Sequence, residues 1–180
     1  MRRRATIAAV VIALGVSGAA AYQLATPPAQ QAAHWREIAW PFPRDGWPAG
    51  RAFRCDGACA GAELYVRAKR GFCNCDRGVA DDDEVDRVAD IDLISPRFAA
   101  VAPGQEVGVG EMRGRARRYD LDMPDGVHRI AIGVAVSRRC DLFVAAAQGN
   151  GEASKMQRAA LAFLETQEMN QWMTAALDGK

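Results

Sequence analysis

The stretch HRIAIGVAVSRRCDLFVAAAQGNG, residues 128–151, decides the fold. From His128 to Ser137, the residues Ile130, Ile132, Val134 and Val136 recur at every second position, the period of a half-buried strand. Arg138 to Asp141 leaves room only for a tight connection. Leu142 to Ala147 then runs back as the partner strand of a hairpin. Gly149-Asn150-Gly151 closes the sheet portion of the chain.

The same periodicity spreads upstream. Pro124-Asp125-Gly126 is a strong turn signal. Before it, Glu106 to Leu121 alternates at length, as one strand bent at Gly114 or as two short ones, and Pro103-Gly104 marks the turn that precedes it. In ELYVRAK, residues 63–69, Leu64, Val66 and Ala68 alternate with Tyr65, Arg67 and Lys69, so this is a further strand, ended by Gly71. Between the two sheet portions, Asp81 followed by Glu84 forms a capping box. A helix is expected from there to about Asp90, with Val85 and Val88 turned inward.

Downstream, Ser154 to Leu177 is helical in pattern, with Ser154 as the expected N-cap. Met156, Ala160, Phe163 and Leu164 form one apolar stripe, and Met169, Trp172, Met173 and Ala176 another. The stripes fall out of phase near Thr166, so two helices joined by a kink are expected. Consecutive strands with short turns imply an antiparallel sheet. The expected class is α+β: an antiparallel meander of hairpins with helices packed on one face, preceded by an N-terminal export helix.

That export helix rests on Arg2, Arg3 and Arg4, followed by the uncharged run ATIAAVVIALGVSGAAA, residues 5–21. Ala19-Ala20-Ala21 offers a signal peptidase the small residues it needs. Cleavage after Ala21 and retention as an inner-membrane anchor through residues 5–21 are both open. In either case the rest of the chain is exported. The expected organisation is a signal peptide or anchor over residues 1–21, a spacer over 22–34 containing TPPAQQAA, and a single disulfide-stabilised domain over 35–180. The expected location is the periplasm, with the domain soluble after cleavage or tethered to the inner membrane.

The 180-residue chain is 49% apolar and 25% charged, a globular balance. Its 23 Lys plus Arg against 22 Asp plus Glu leave a net charge of +1, without the basic excess of a nucleic-acid binder.

The five cysteines are Cys55, Cys59, Cys73, Cys75 and Cys140, so two bridges leave one thiol over. The strand between Cys59 and Cys73 spans roughly 23 Å, whereas a bridge needs its Cα atoms within about 7 Å. The economical pairing is Cys55 with Cys59, and Cys140 with Cys73 or Cys75. Residues His34 to Phe53 gather Trp35, Trp40, Phe42, Trp47 and Phe53 among Pro41, Pro43 and Pro48. This is expected to be an irregular segment lying across the sheet and plugging its core, or else an aromatic ligand groove with Trp40 and Trp47 as its binding residues.

Other constellations have both a structural and a functional reading. The C-x3-C pair Cys55 and Cys59 is read first as a short structural disulfide; the alternative, with His128 or His34 as a third ligand, is the donor set of a Cu(I) site. Cys73 and Cys75, flanked by Arg70 and Arg77, could exchange disulfides if a thiolate is stabilised there. The acidic run Asp81, Asp82, Asp83, Glu84 and Asp86 lacks the spacing of a calcium loop and suits a helix N-terminus. Arg113, Arg115 and Arg117, with Arg118 beside them, alternate along a predicted strand. They form either a basic stripe for an anionic ligand or a solvated outer face. GxSxG, HExxH, SxxK, P-loop and CxxCH motifs do not occur.

From Trp40 onward the chain resembles a group of uncharacterised exported alphaproteobacterial proteins. The likeness is carried by WPFP (Trp40 to Pro43), GRAFRC (Gly50 to Cys55), ELYVRAKRGFCNC (Glu63 to Cys75) and the RCD of Arg139 to Asp141. It brings no activity, ligand or partner with it. The expectation is therefore an exported, non-enzymatic accessory or binding protein without a cofactor, acting on a protein or small-molecule partner. The alternative is a periplasmic thiol-redox or copper-handling protein that uses the CxxxC and CxC cysteines.

Overall fold

The computed structural model describes residues 33–57, 59, 61–72 and 75–179. The export segment, most of the spacer, and Cys73 lie outside these residues. Eight strands run in the order β1 (His34–Ile38), β2 (Arg51–Asp56), β3 (Glu63–Lys69), β4 (Phe98–Ala100), β5 (Gln105–Val109), β6 (Met112–Asp122), β7 (His128–Arg138) and β8 (Asp141–Gly149). Helices α1 (Asp82–Val88) and α2 (Ile91–Ile94) lie between β3 and β4, and α3 (Ala153–Leu164) and α4 (Gln167–Asp178) follow β8.

All strands join one antiparallel sheet in the order β1-β2-β3-β8-β7-β6-β4, with β5 also paired to β6. The expected hairpin is β7–β8, with Arg138 opposite Asp141 and a two-residue turn between them. Arg139 supplies that turn with a φ of 58°. Glu106 to Leu121 resolves into β5 and the long β6, and the turn between them lies at Gly110-Glu111 rather than at Gly114. Gly114 stays inside β6, where a Cβ would sit 2.0 Å from the Ala135 carbonyl oxygen of β7.

Alternation along the strands divides the core in two. Phe143, Ala145 and Ala147 of β8 join Leu64, Val66, Ile132, Val134 and Val136 on one face, under Met156, Ala160, Leu164, Met169 and Met173 of α3 and α4. Leu142, Val144 and Ala146 face the other way, toward Val85, Val88, Ile91 and Ile94 of α1 and α2. Each fully buried Val, Leu, Ile, Phe or Met side chain among them contributes roughly 1.5–3 kcal/mol. The expectation of helices on one face describes α3 and α4. The short pair α1–α2 covers the opposite face, where Gly133 lets it approach: a Cβ there would lie 2.9 Å from the Ala89 Cβ.

Local signals hold in detail at several points. Asp81 caps α1 by accepting a hydrogen bond from the Glu84 N–H at 2.9 Å. Thr166 separates the last two helices and caps α4 through the Met169 N–H. The N-cap of α3 is Glu152, two residues before the expected Ser154.

The segment His34 to Phe53 differs from the expectation of an irregular stretch. It contains β1 and the start of β2, because its three prolines all fall between the strands, in residues 39–50. Trp35 and Phe53 pack on Phe163 of α3. Trp40 and Phe42 pack on Tyr65, on the opposite face of the sheet. Residues 39–50 thus form an aromatic strap across the α1–α2 face. Among the described residues, no helix is long and apolar enough to cross a membrane.

Candidate functional site

The α1–α2 face carries most of the sheet's inward-facing polar groups. Along β3, alternate residues Glu63, Tyr65, Arg67 and Lys69 point to it. Arg67 and Lys69 are buried, 3% and 4% exposed, and the alternation alone would have placed them in solvent. Asp90, at the corner between α1 and α2, reaches both: Arg67 donates to its carboxylate at 2.5 and 2.8 Å, and Lys69 Nζ donates at 2.5 Å. The corner is sharp, with Asp90 at φ 61° in the left-handed region that Asp tolerates better than most residues. Lys69 also donates to the Val88 carbonyl at 2.9 Å, closing the C-terminal end of α1. Burial pushes the Lys69 ammonium below the usual lysine range, and Asp90 offsets only part of that push.

Asp45 of the strap completes this network at 2.9 Å from Arg67 Nη1, and that hydrogen bond is the main reason its carboxyl falls to a pKa of about 2. Beside it, Trp47 meets Phe72 edge-on. At the other end of β3, Tyr65 donates to Glu63, Gln148 contacts both, and Arg54 pairs with Glu63. Burial pushes the Tyr65 hydroxyl up, and its donation to Glu63 adds to the rise.

The arginine stripe of β6 lies on this same face, and most of it is neutralised. Arg115 binds Asp82 at 2.8 Å and the Gly104 carbonyl at 2.9 Å. Arg117 binds Asp86 at 2.6 Å and the Ala102 carbonyl at 3.1 Å. Tyr119 donates to the other Asp86 oxygen at 2.6 Å. The acidic run of α1 therefore serves as counter-charge for β6 as well as filling a helix N-terminus. A hydrogen bond from the Gly104 N–H is the main reason the Asp82 carboxyl lies below the usual range, and Arg115 adds to it.

Arg113 stands apart. Its side chain is exposed and lines a cleft of about 310 Å³ together with Arg77, Glu106, Arg115 and Ser137. Neither Arg77 nor Arg113 has a side-chain hydrogen bond or ion pair among the described residues. Glu106 is the one acidic side chain in the lining, so the cleft keeps a surplus of positive charge. Two links bring Arg77 here. The Cys75–Cys140 disulfide, with a Cα separation of 4.3 Å, ties its loop to the β7–β8 turn. Gly78, at φ 60°, lies so close to Ser137 that a Cβ would come within 2.2 Å of the hydroxyl oxygen. Ser137 is directly opposite Arg113 in the β6–β7 ladder. The sequence set Arg77 beside the Cys73 and Cys75 thiols rather than beside Arg113, since only the bridge and the loop bring the two arginines together.

The remaining candidates fall in separate places. Cys55 and Cys59 are bridged, and both are buried in the α3–α4 core. The second bridge takes Cys75 from the pair left open for Cys140, and Cys73 lies outside the described residues. His128 is 80% exposed and pairs with Asp122 at 2.8 Å. It stands on β7, three strands away from Cys55 on β2, about 14 Å at the usual strand spacing, so the structure does not bring these donors together. Among the described residues, no cluster of three or more His, Cys, Asp or Glu side chains could hold a metal ion. Trp40 is packed on Phe42 and Tyr65, while Trp47 lines a different cleft beside the last helix. Comparison with protein-family models, with curated proteins and with solved structures finds no match.

Proposed function

We propose that the chain is an exported, non-enzymatic binding or accessory protein of the periplasm, and that the Arg77–Arg113 cleft receives an anionic group of its ligand or partner. One observation carries the binding part of this reading. Two guanidinium groups that form no ion pair among the described residues share a cleft, while Arg115 and Arg117 beside them are already neutralised. A guanidinium presents a planar fork of donors suited to carboxylate or phosphate oxygens. Export is supported by the basic and apolar N-terminal residues, and two disulfides suit an oxidising compartment.

The test is an NMR titration of the mature chain with inorganic phosphate and, separately, with acetate. Saturable shifts are expected at Arg77, Arg113 and Ser137, weakening as ionic strength rises. Arg77→Ala and Arg113→Ala should abolish them without lowering thermal stability. A double variant that titrates like the parent overturns the cleft assignment. Recovery of the native chain from the cytosol, uncut and fully reduced, overturns the export assignment.

A further inference from the structure

A second cleft, of about 460 Å³, lies between the strap and the last helix. Its lining includes Trp47 and Pro48 of the strap, Ala68 and Arg70 of β3 and its continuation, and Trp172 and Ala176 of α4. Its floor is a place where the sheet is incomplete. β2 pairs with β3 only from Arg51–Arg54 against Glu63–Val66, whereas β8 follows β3 as far as Lys69. The ladder fixes which backbone groups are left over. The Cys55 N–H bonds the Ala62 carbonyl at 2.7 Å, so the even-numbered β3 residues turn their N–H and C=O groups toward β2. Ala68 is next in that series after Leu64 and Val66. β2 begins only at Arg51, so Ala49, which the register would set opposite Ala68, lies outside the sheet, and no backbone hydrogen bond joins Ala68 or Arg70 to residues 46–50.

We infer that this cleft is a docking site for a short extended peptide carrying a carboxylate, added as a strand segment beside β3 where β2 stops. Three features select that occupant. Open ladder groups in a cleft call for another backbone, which is the basis of strand addition. Trp47 and Trp172 supply large, stiff apolar walls for its alternate side chains. Arg70 is exposed and has no ion pair among the described residues, so it can take an acidic side chain or a terminal carboxylate. Arg70 also has a purely structural role open to it: it lies against Gly179 at the C-terminal cap of α4, where a cation steadies the helix end. The two roles separate experimentally.

The mature chain is titrated with the N-acetylated pentapeptide Val-Thr-Val-Thr-Asp and followed by tryptophan fluorescence and by the backbone amide signals of Ala68 and Arg70. Saturable binding is expected, with shifts at both amides. Arg70→Ala should weaken it about tenfold or more, the loss of a charge-assisted hydrogen bond. N-methylation of alternate peptide nitrogens should abolish it. A C-terminal amide and an Asp→Asn peptide tell a side-chain carboxylate from a terminal one, and loss with either supports the inference. Arg77→Ala and Arg113→Ala should leave peptide binding unchanged, which separates this site from the anion cleft. No saturable binding by any of these peptides, or binding indifferent to both Arg70→Ala and N-methylation, overturns it. An Arg70→Ala variant that loses thermal stability and keeps its peptide affinity assigns the residue to the helix cap alone.

Discussion

Arg67 and Asp90 meet through two parallel hydrogen bonds, Nε to Oδ2 at 2.5 Å and Nη2 to Oδ1 at 2.8 Å, with both side chains nearly sealed from water. The contact joins the middle of the sheet to the corner between α1 and α2, and Lys69 shares the same carboxylate. Removing Asp90 leaves the buried Lys69 ammonium without its acidic partner and Arg67 with Asp45 alone. Asp90→Ala is therefore expected to cost about 3–5 kcal/mol, read from chemical denaturation. Asp90→Gly suits the φ of 61° better and should still lose most of this, because the deficit is electrostatic rather than conformational. Full stability in the glycine variant would show that the backbone strain, and not the ion pair, sets the value of this position.

The two bridges should differ in what they contribute. Cys75–Cys140 closes a loop with a sequence separation of 65, and Cys55–Cys59 one with a separation of 4. Loop entropy alone gives about 4 kcal/mol for the first and about 2 kcal/mol for the second. Cys140→Ser is expected to lower the melting temperature more than Cys59→Ser, as measured by calorimetry. Peptide mapping of the unreduced protein should find these two pairs and one free thiol.

The stripe on β6 should divide sharply by position. Arg113→Ala is expected to stay within about 0.5 kcal/mol of the parent, as surface substitutions do. Arg117→Ala removes hydrogen bonds to Asp86 and to the Ala102 carbonyl, and should cost about 1–3 kcal/mol. Hydrogen exchange should show the loss concentrated in α1. Equal effects at the two positions would mean that the helix is held by its apolar contacts alone.

Acid should loosen the strap before the sheet. The Asp45 carboxyl has a folded pKa of about 2 against an ordinary 3.8, because Arg67 donates to its charged form. A lowered carboxylate contributes stability that is fully present above 3.8 and is lost as pH falls through 2. Tryptophan emission from the strap is expected to change across that window, and Asp45→Asn should abolish the change.

Strands that cover themselves were legible in the sequence. β7 and β8 alternate over a tight turn, α1 announces its cap through Asp81 and Glu84, and Thr166 marks the break between α3 and α4. β1 and β2 were hidden by Pro41, Pro43 and Pro48, which crowd the same segment yet all fall in the strap between them. Arg67 and Lys69 sit at positions where alternation predicts solvent. They are buried because Asp90, more than twenty residues on, pairs with both, and Asp45, more than twenty residues back, pairs with Arg67. Arg113, Arg115 and Arg117 were visible as one stripe, but their division into free and neutralised members depended on where α1 would land. Such long-range pairings leave no local period to read.

The crosslink at Cys140 also couples a surface cleft to the redox state of the chain. Arg77 is held beside Arg113 by a loop anchored through sulfur, whereas Arg113 itself is placed by the β6–β7 ladder. On the proposed reading of that cleft, reduction of Cys75–Cys140 frees the loop that carries Arg77, so anion binding should depend on the oxidation state of a bond that touches neither guanidinium.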